Sequence, residues 1–344
     1  MLTRSTLRLF LWTLFLLLSS LACRTATSLL LPDTASSPQS APTLLTETAP
    51  LPATIEAVQE ASCPSTLSDI MTAATTLGAT EKPQPESQLV IYTVTGEQLS
   101  NPMFETVPVG LKAQQDDLAT QQQIWNYFAA LIPKEQRGMI SHYSVLTDGK
   151  KNLLAAVAQT YQDPSQWVLE VDIADASDTA NLTFTMIHEF GHLLTLNSRQ
   201  VPPSMAVFEN PHDQNIYSQE LAACPNYFTG EGCSNPNSYI NHFYQRFWSD
   251  IYDEWNEIDK IQDERDYYEK MSQFYFNYED RFVSAYATAN PVEDIAESWT
   301  YFILVPKPTG STIADQKVLF FYEHPELVVL RTQILNRLCT VFPQ

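Results

Sequence analysis

The sequence predicts an α+β domain, with a small mixed sheet in its first half and mainly helices in its second half. One apolar repeat of helical spacing and three short strand-like segments occupy residues 116–176. After residue 178, apolar residues recur at helical spacing in most segments. Without its N-terminal extension, the chain of 344 residues suits one large domain with an insertion, or two small ones.

Residues 1–22 are typical of a signal peptide. Arg4 and Arg8 precede the apolar run LFLWTLFLLLSSLA, which is too short and too close to the N-terminus for a mature membrane span. The run ends in SSLAC, which resembles the lipobox of bacterial lipoproteins, although Ser20 stands where leucine is commoner. The resemblance implies lipidation of Cys23, and ordinary signal cleavage is the alternative. We therefore expect an extracytoplasmic protein that is lipid-anchored to a bacterial membrane.

Residues 23–60 predict a flexible tether, and residues 61–344 the folded domain. The tether is rich in Ser, Thr, Pro and Ala and has no aromatic residue, so it cannot bury enough apolar surface to fold. The net charge of −21, from 40 acidic and 19 basic residues, argues against nucleic-acid binding, which needs a basic surface. It also argues against polybasic attachment to anionic lipid. We expect a monomer.

The five cysteines predict two disulfides besides the lipidated Cys23. Cys224 and Cys233 bracket the short segment PNYFTGEG and are expected to pair, which leaves Cys63 and Cys339 to join the two ends of the domain. Four cysteines allow three pairings, so the others stay open. A zinc site made of cysteines is disfavoured because the chain has no C-x-x-C pair.

The elements after the tether begin with one helix, three strands and a second helix. Apolar residues at helical spacing from Ile124 to Leu131 predict the first helix, which ends before Pro133. MISHYSVLTDGK, NLLAAVAQTY and WVLEVDIADA predict strands, the last two joined by the turn QDPSQ. The second helix is expected from about Asp178 to Leu196.

Residues 200–285 are predicted to form an insertion that is mainly helical. Irregular sequence around the expected Cys224–Cys233 loop comes first. NSYINHFYQRFWSDIYDEWNEIDKI and ERDYYEKMSQFYFNYEDRFV then predict two aromatic-rich, acidic helices. Their aromatic residues either pack the helices together or form a wall that faces a substrate.

The segment HEFGH, which begins at His188, lies within the second helix. Positions four apart share a helix face, so His188 and His192 can direct both imidazoles at one point, with Glu189 beside them. This is the H-E-x-x-H arrangement of zinc hydrolases, and two histidines on a structural helix are the alternative. Gly191 costs the helix about 1 kcal/mol relative to alanine, which a close approach to another element would explain.

A catalytic zinc takes three protein ligands, so a third must lie outside this segment. Thr195 and Ser198 stand where the metzincin pattern has glycine and histidine, which excludes that class. The candidate is Glu293, in the first turn of a helix that Asn290 can cap. Glu297 follows four residues later on the same face, where it can accept a hydrogen bond from a ligand histidine.

Other arrangements of the third ligand are weaker. A capping-box glutamate with a solvated neighbour is the alternative for the pair at 293 and 297. Glu209 and Asp213 have the same spacing nearer to HEFGH, but Pro211 interrupts any helix that would present both. The histidines at positions 212, 242 and 324 each stand alone.

HEFGH followed far downstream by YATANPVEDIAE resembles the gluzincin metallopeptidases, and among them the catalytic domain of anthrax lethal factor and the related Pro-Pro endopeptidases. The resemblance implies a zincin-like metallopeptidase domain with one Zn²⁺ per chain, held by His188, His192 and Glu293. It implies that Tyr286, seven residues before Glu293, donates to the developing oxyanion. By analogy with zincins, the strand VLEVDIADA is expected at the sheet edge, where it would pair with extended substrate.

Together these residues predict a membrane-anchored, zinc-dependent endopeptidase that acts on peptides or proteins. Glu189 is expected to be the general base, and Glu297 to orient a histidine. The alternative from another class is a catalytically inactive lipoprotein on a zincin scaffold that serves as a surface binding module. A purely structural surface lipoprotein, without stoichiometric metal, is the third possibility.

Overall fold

The computed structural model describes residues 62–76, 86–150 and 153–342. The predicted signal peptide, Cys23 and the tether lie outside these residues. The described chain is an α+β domain with a five-stranded sheet, as the sequence predicts, and it is consistent with a zincin-like metallopeptidase domain. No helix of the described residues is long and apolar enough to cross a membrane.

The first half of the domain contains the sheet and the helices that flank it. Its elements are α1 (Pro64–Thr76), β1 (Ser87–Thr95), β2 (Gln98–Phe104), α2 (Lys112–Gln115), α3 (Leu118–Leu131), β3 (Ile140–Thr147), β4 (Ala155–Gln159), β5 (Trp167–Asp172) and α4 (Thr179–Leu196). The second half is helical in its described elements. These are α5 (Met205–Glu209), α6 (Gln214–Ala223), α7 (Tyr239–Phe247), α8 (Tyr252–Asp259), α9 (Glu264–Asn277), α10 (Pro291–Leu304), α11 (Ile313–Tyr322) and α12 (Pro325–Val341).

The sheet has the strand order β2-β1-β3-β5-β4 and is mixed. β3 and β5 are parallel, and the other neighbouring pairs are antiparallel. The prediction that VLEVDIADA forms the edge strand is therefore wrong. That segment is β5, which lies between β3 and β4, and the edge next to it is β4. Because one side of β5 is paired with β3, the β4–β5 hairpin places β4 at the edge of the sheet.

The hairpin β1–β2 was not predicted, although its sequence has a signal. The segment SQLVIYTVT is rich in β-branched residues, and Gly96 adopts φ 67° in the turn that follows it. A positive φ favours glycine at such a turn. Thr95 pairs with Gln98 across the turn, and β1 continues on to pair with β3.

The core continues from the sheet into the helical half. Trp125 of α3 packs on Tyr143 of β3, with ring centroids 5.5 Å apart, and both side chains are fully buried. Phe243, Trp248 and Phe274, from the segment 200–285, belong to the same cluster of buried residues. For these residues, helix packing explains the aromatic content of that segment.

The single helix predicted from NSYINHFYQRFWSDIYDEWNEIDKI is wrong, since the structure has two helices, α7 and α8, with a break at residues 248–251. Tertiary contacts explain the break. The Trp248 indole donates to buried Asp294, and Arg281 binds the Asp250 carboxylate through two contacts of 2.7 Å. The irregular sequence that precedes α7 also contains two short helices, α5 and α6.

Both expected disulfides are present. Cys63 and Cys339 are bonded across a sequence separation of 276 residues and join the start of α1 to α12. Cys224 and Cys233 are bonded and close a short loop after α6. The loop also forms a β-bridge between Phe228 and Cys233.

Candidate metal centre

Helix α4 presents the HEFGH side chains to one point. Asp178 caps its N-terminus by accepting a hydrogen bond from the Asn181 amide, and the helix ends before Asn197, as the sequence predicts. The four-residue spacing then brings His188 and His192 together, with 3.1 Å between their Nε2 atoms. Both histidines are buried.

Helix α10 supplies a carboxylate to the same point. The Asn290 side chain accepts hydrogen bonds from the Val292 and Glu293 amides, and Pro291 occupies the first helical position. The helix thus begins where the sequence predicts. Glu293 Oε2 lies 3.1 Å from His188 Nε2 and 3.5 Å from His192 Nε2.

The close approach of α4 and α10 depends on Gly191. A Cβ atom built at this position would lie 3.0 Å from Trp299 Cδ1 and 3.1 Å from Ala296 Cα. The two helices therefore touch, backbone to backbone, one turn from the ligand side chains. This confirms the expectation that Gly191 permits a close helix approach.

The three atoms fit a zinc ion. Ligand atoms that lie about 2.0–2.1 Å from a tetrahedral zinc are about 3.3 Å from one another. The observed separations of 3.1, 3.1 and 3.5 Å match that triangle. Two imidazoles and one carboxylate are also the donor set of a catalytic zinc site. The roles of His188, His192 and Glu293 as ligands stay a prediction, which the geometry supports.

Glu189 lies beside this triangle. Ligand atoms of His188, Glu189 and His192 lie within 4.8 Å of one another, so proximity alone would admit Glu189 as a ligand. However, Glu293 Oε2 lies within 3.5 Å of the Nε2 atoms of both histidines, whereas Glu189 has the Val157 backbone of strand β4 as a neighbour. Burial raises the pKa of Glu189, and the nearby histidines oppose that effect. Such a carboxyl group is suited to taking up a proton and releasing it again.

Glu297 holds the other nitrogen of His188, as the sequence predicts. Its Oε1 lies 3.0 Å from His188 Nδ1, and its Oε2 accepts a 2.5 Å hydrogen bond from Ser284 Oγ. Burial alone would lower the pKa of His188, but contacts with Glu293 and Glu297 raise it well above its usual value. With Nδ1 directed at Glu297, the Nε2 atom faces the other ligand atoms.

Tyr286 also reaches the centre. It lies in a short 3-10 helix (Tyr286–Thr288), and its ring centroid is 5.7 Å from that of His188. Burial, together with the charges of Glu293 and Glu189, raises its pKa well above the usual value. The phenol therefore keeps its proton and can donate a hydrogen bond.

The residues that were considered as weaker candidates for the third ligand have other positions in the structure. Asp213 caps α6 by accepting from the Asn215 and Ile216 amides. Glu209 is exposed at the end of α5. His324 precedes α12, where its ring packs on Tyr239 with centroids 4.9 Å apart.

Sequence reasoning missed two groups near the centre. One is a buried cluster next to Glu293, where Asp294 accepts hydrogen bonds from Lys317 (2.5 Å) and Trp248 (2.7 Å). The other is Glu231, in the Cys224–Cys233 loop, whose Oε2 is buried. Burial raises the pKa of Glu231 to about 7, and nearby His192 opposes the rise. The spacing CPNYFTGEGC was the available signal, since it places a carboxylate beside the expected disulfide.

Comparison with known proteins connects this centre to one family. Residues 239–326 match a family model described as "Putative zinc-binding metallo-peptidase". The matched segment starts at the first residue of α7 and contains Tyr286, Glu293 and Glu297, but not the HEFGH helix. Neither the curated proteins nor the solved structures gave a match to the chain. The family match thus supports a relationship to zinc metallopeptidases for the segment that contains Tyr286 and α10.

Proposed function

We propose that this protein is a zinc-dependent endopeptidase. The observation that carries the proposal is the meeting of His188, His192 and Glu293 at zinc-ligand distances, with Glu189 and Tyr286 at the same point. If these helices served packing alone, a buried carboxylate and a buried phenol beside two histidines would destabilise the fold, because burial of polar groups without a compensating interaction costs free energy.

Each residue at the centre has a separate role in the proposed hydrolysis. Bound zinc would supply Lewis acidity at the triangle of His188, His192 and Glu293. Glu189 takes a proton from the attacking water and passes it to the leaving amine. Tyr286 donates a hydrogen bond to the developing oxyanion, and one such donor typically contributes about 3–4 kcal/mol. Glu297 keeps the His188 ring oriented.

Strand β4 gives the proposal a route for a peptide substrate. It is the sheet edge that packs on α4, and its Val157 backbone lies near Glu189. An extended peptide that pairs with this edge would have its backbone next to the general base. The resemblance to Pro-Pro endopeptidases adds Pro-Pro bonds to the substrates worth testing.

The test uses the full chain and four variants. We expect about one zinc per chain by elemental analysis and cleavage within a peptide library that includes Pro-Pro sequences. Glu189→Gln should abolish cleavage but keep zinc, whereas Glu293→Ala should lose zinc. Tyr286→Phe should keep zinc and lower kcat by about a hundredfold or more. Glu209→Gln, which changes an exposed glutamate at the end of α5, is the matched control and should change neither.

Two outcomes would reject the proposal. Zinc binding without cleavage of any peptide, unchanged by Glu189→Gln, would favour the inactive binding lipoprotein. Absence of stoichiometric zinc would favour a structural lipoprotein. Intact zinc binding in Glu293→Ala would show that the third ligand is another residue.

We further propose that a lipid on Cys23 anchors the enzyme outside the cytoplasm. The support is the sequence SSLAC after an apolar run with two preceding arginines. Mass spectrometry of the N-terminal peptide from the membrane fraction should find an acylated Cys23. Release of Cys23→Ser into the soluble fraction is expected, and retention of that variant in the membrane would contradict the anchor.

A further inference from the structure

Ser284 joins two parts of the metal centre through a single hydroxyl group. Its Oγ donates a 2.5 Å hydrogen bond to Glu297 Oε2 and accepts a 3.2 Å hydrogen bond from the Ala287 amide. Glu297 belongs to α10, whereas Ala287 lies in the 3-10 helix Tyr286–Thr288. One side chain therefore holds both the carboxylate beside the metal ligands and the turn that carries Tyr286.

The Glu297 carboxylate is held at both of its oxygens. Oε1 lies 3.0 Å from His188 Nδ1, and Oε2 accepts the hydrogen bond from Ser284. Glu297 is only 3% exposed, so the Ser284 hydroxyl satisfies an oxygen that bulk water scarcely reaches. A carboxylate that is bonded at both oxygens has its plane fixed, and this plane sets the direction in which a His188 Nδ1–H can donate. Loss of the Ser284 hydroxyl would free the carboxylate to rotate.

The turn that carries Tyr286 is anchored at its start by the same hydroxyl. An amide in the first turn of a helix has no acceptor within that helix, and a serine three residues earlier can supply one. Ser284 does so for Ala287, which is fully buried. At the other end of the turn, the Trp255 indole donates to two backbone carbonyl groups, each at 3.1 Å. Tyr286 therefore lies between two anchors, one of which is also bonded to Glu297.

We propose that Ser284 is a positioning residue that aligns the Tyr286 phenol with His188, by fixing the turn of Tyr286 to the carboxylate of Glu297. This role rests on the proposed zinc endopeptidase, and Ser284 acts through Glu297 and the turn. The rings of Tyr286 and His188, whose centroids are 5.7 Å apart, are the two ends of the connection. A donor stabilises an oxyanion only at hydrogen-bonding distance, so a fixed relation between the phenol and the metal ligand should matter for turnover.

Ser204 offers a control with the same pair of contacts elsewhere in the chain. Its Oγ accepts a 3.2 Å hydrogen bond from the Val207 amide and donates a 2.8 Å hydrogen bond to Glu220 Oε2. Both serines thus precede a short helix and bind a glutamate. Glu220 lies in α6 and is not a residue of the proposed centre. Ser204→Ala and Ser284→Ala therefore remove the same kinds of contact, but only the second variant deprives a residue of the centre of its partner.

The test measures zinc affinity, by competition with a chelating dye, and peptide cleavage by the full chain. Ser284→Ala should weaken zinc binding about three- to tenfold, which is less than the roughly ten- to hundredfold loss typical for a direct partner of a ligand. It should also lower kcat about tenfold with little change in KM, because the phenol acts on the developing oxyanion. Ser284→Thr keeps the hydroxyl and should restore both values, whereas Ser204→Ala should change neither.

The Tm of each metal-free variant separates these effects from loss of fold. Ser284→Val has the shape of Ser284→Thr without the hydroxyl and should behave as Ser284→Ala does. The comparison of the valine and threonine variants therefore decides the question even if Ser284→Ala does not fold.

Double variants separate positioning from capping of the turn. If Ser284 acts on the metal ligands through Glu297, Ser284→Ala should add little to the loss of zinc affinity that Glu297→Ala causes by itself. Ser284→Ala should likewise lower kcat much less in Tyr286→Phe than in the unaltered chain, because Tyr286→Phe has already removed the oxyanion donor. Capping alone would lower the Tm in every background and leave zinc affinity unchanged.

Two results would overturn the positioning role. One is a lower Tm for Ser284→Ala together with the zinc affinity and kcat of the unaltered chain. The other is a loss of zinc affinity as large in Glu297→Ala as in the unaltered chain, which would show that Ser284 does not act through Glu297. If the unaltered chain binds no zinc, the proposed function fails and this role with it. If the unaltered chain binds zinc and cleaves peptides, either result rejects the positioning role only.

Discussion

Replacement of Gly191 by alanine tests whether the approach of α4 and α10 sets the metal centre. A Cβ atom there would lie 3.0 Å from Trp299 Cδ1, 3.1 Å from Ala296 Cα and 3.4 Å from Ala296 Cβ. Ordinary carbon contacts are about 3.5–4.0 Å, so the helices must separate by about 0.5 Å. Ala296 Cα is backbone and Trp299 is fully buried, and neither can move aside easily.

The magnitude follows from two opposing effects. Alanine gains about 1 kcal/mol over glycine in a helix interior. Overpacking a core costs about 1–3 kcal/mol. The free energy of unfolding should therefore fall by about 0–2 kcal/mol. Zinc affinity should fall by at least about tenfold, because a 0.5 Å shift of Glu293 exceeds the roughly 0.2 Å tolerance of metal–ligand distances.

Urea unfolding of the metal-free chain and chelator competition for zinc measure the two quantities separately. Gly138→Ala is the control, since a Cβ at Gly138 meets nothing within 4 Å and its φ is not positive. The reasoning is refuted if Gly191→Ala is more stable by about 1 kcal/mol and binds zinc as the unaltered chain does. That result would mean that helix propensity determines the stability of this variant, and that the close contact between α4 and α10 does not set the position of Glu293.

Three further changes test the fold around the centre, each by urea unfolding. Lys317→Met should lower the free energy of unfolding by about 3–5 kcal/mol, because it leaves Asp294 buried without its cation, and adding Asp294→Asn should recover part of the loss. Burial, together with the charges of Glu86 and Glu189, raises the pKa of Glu170 in the folded state from 4.5 to about 7, so the free energy of unfolding falls as the pH rises between these two values. Glu170→Gln should therefore raise the free energy of unfolding by about 1–3 kcal/mol at pH 8 and leave it unchanged near pH 4.5. Replacing Cys63 and Cys339 by serine should cost about 2–4 kcal/mol by freeing the two ends of the unfolded chain, and an unchanged denaturation midpoint would argue against that disulfide.

Local signals account for what the sequence predicted well. The four-residue spacing of His188 and His192 fixes a shared helix face, whatever the rest of the chain does. Asn290 followed by Pro291 fixes the start of α10, and so the turn in which Glu293 lies. The hairpin β4–β5 was also predicted from the short turn between its strands. Each of these patterns is complete within about ten residues.

Features that depend on distant partners were not predicted. Whether β5 lies at an edge depends on its parallel pairing with β3, 26 or 27 residues earlier, which no local pattern specifies. The break after α7 depends on Trp248 and Asp250 reaching Asp294 and Arg281. Glu231 gave no helical or strand periodicity to read, because it lies in an irregular loop.

The buried ion pair next to Glu293 explains how the helical half contributes to the centre. Successive residues of a helix point about 100° apart, so the direction of Asp294 determines that of Glu293. Asp294 is bound by Lys317 of α11 and by Trp248, which follows α7, and both partners are fully buried. A buried pair adds little net stability, but it tolerates only one geometry. Rotation of α10 would break these contacts before it could withdraw Glu293 from the histidines, and residues 239–326 contain every member of this cluster together with Glu293 itself.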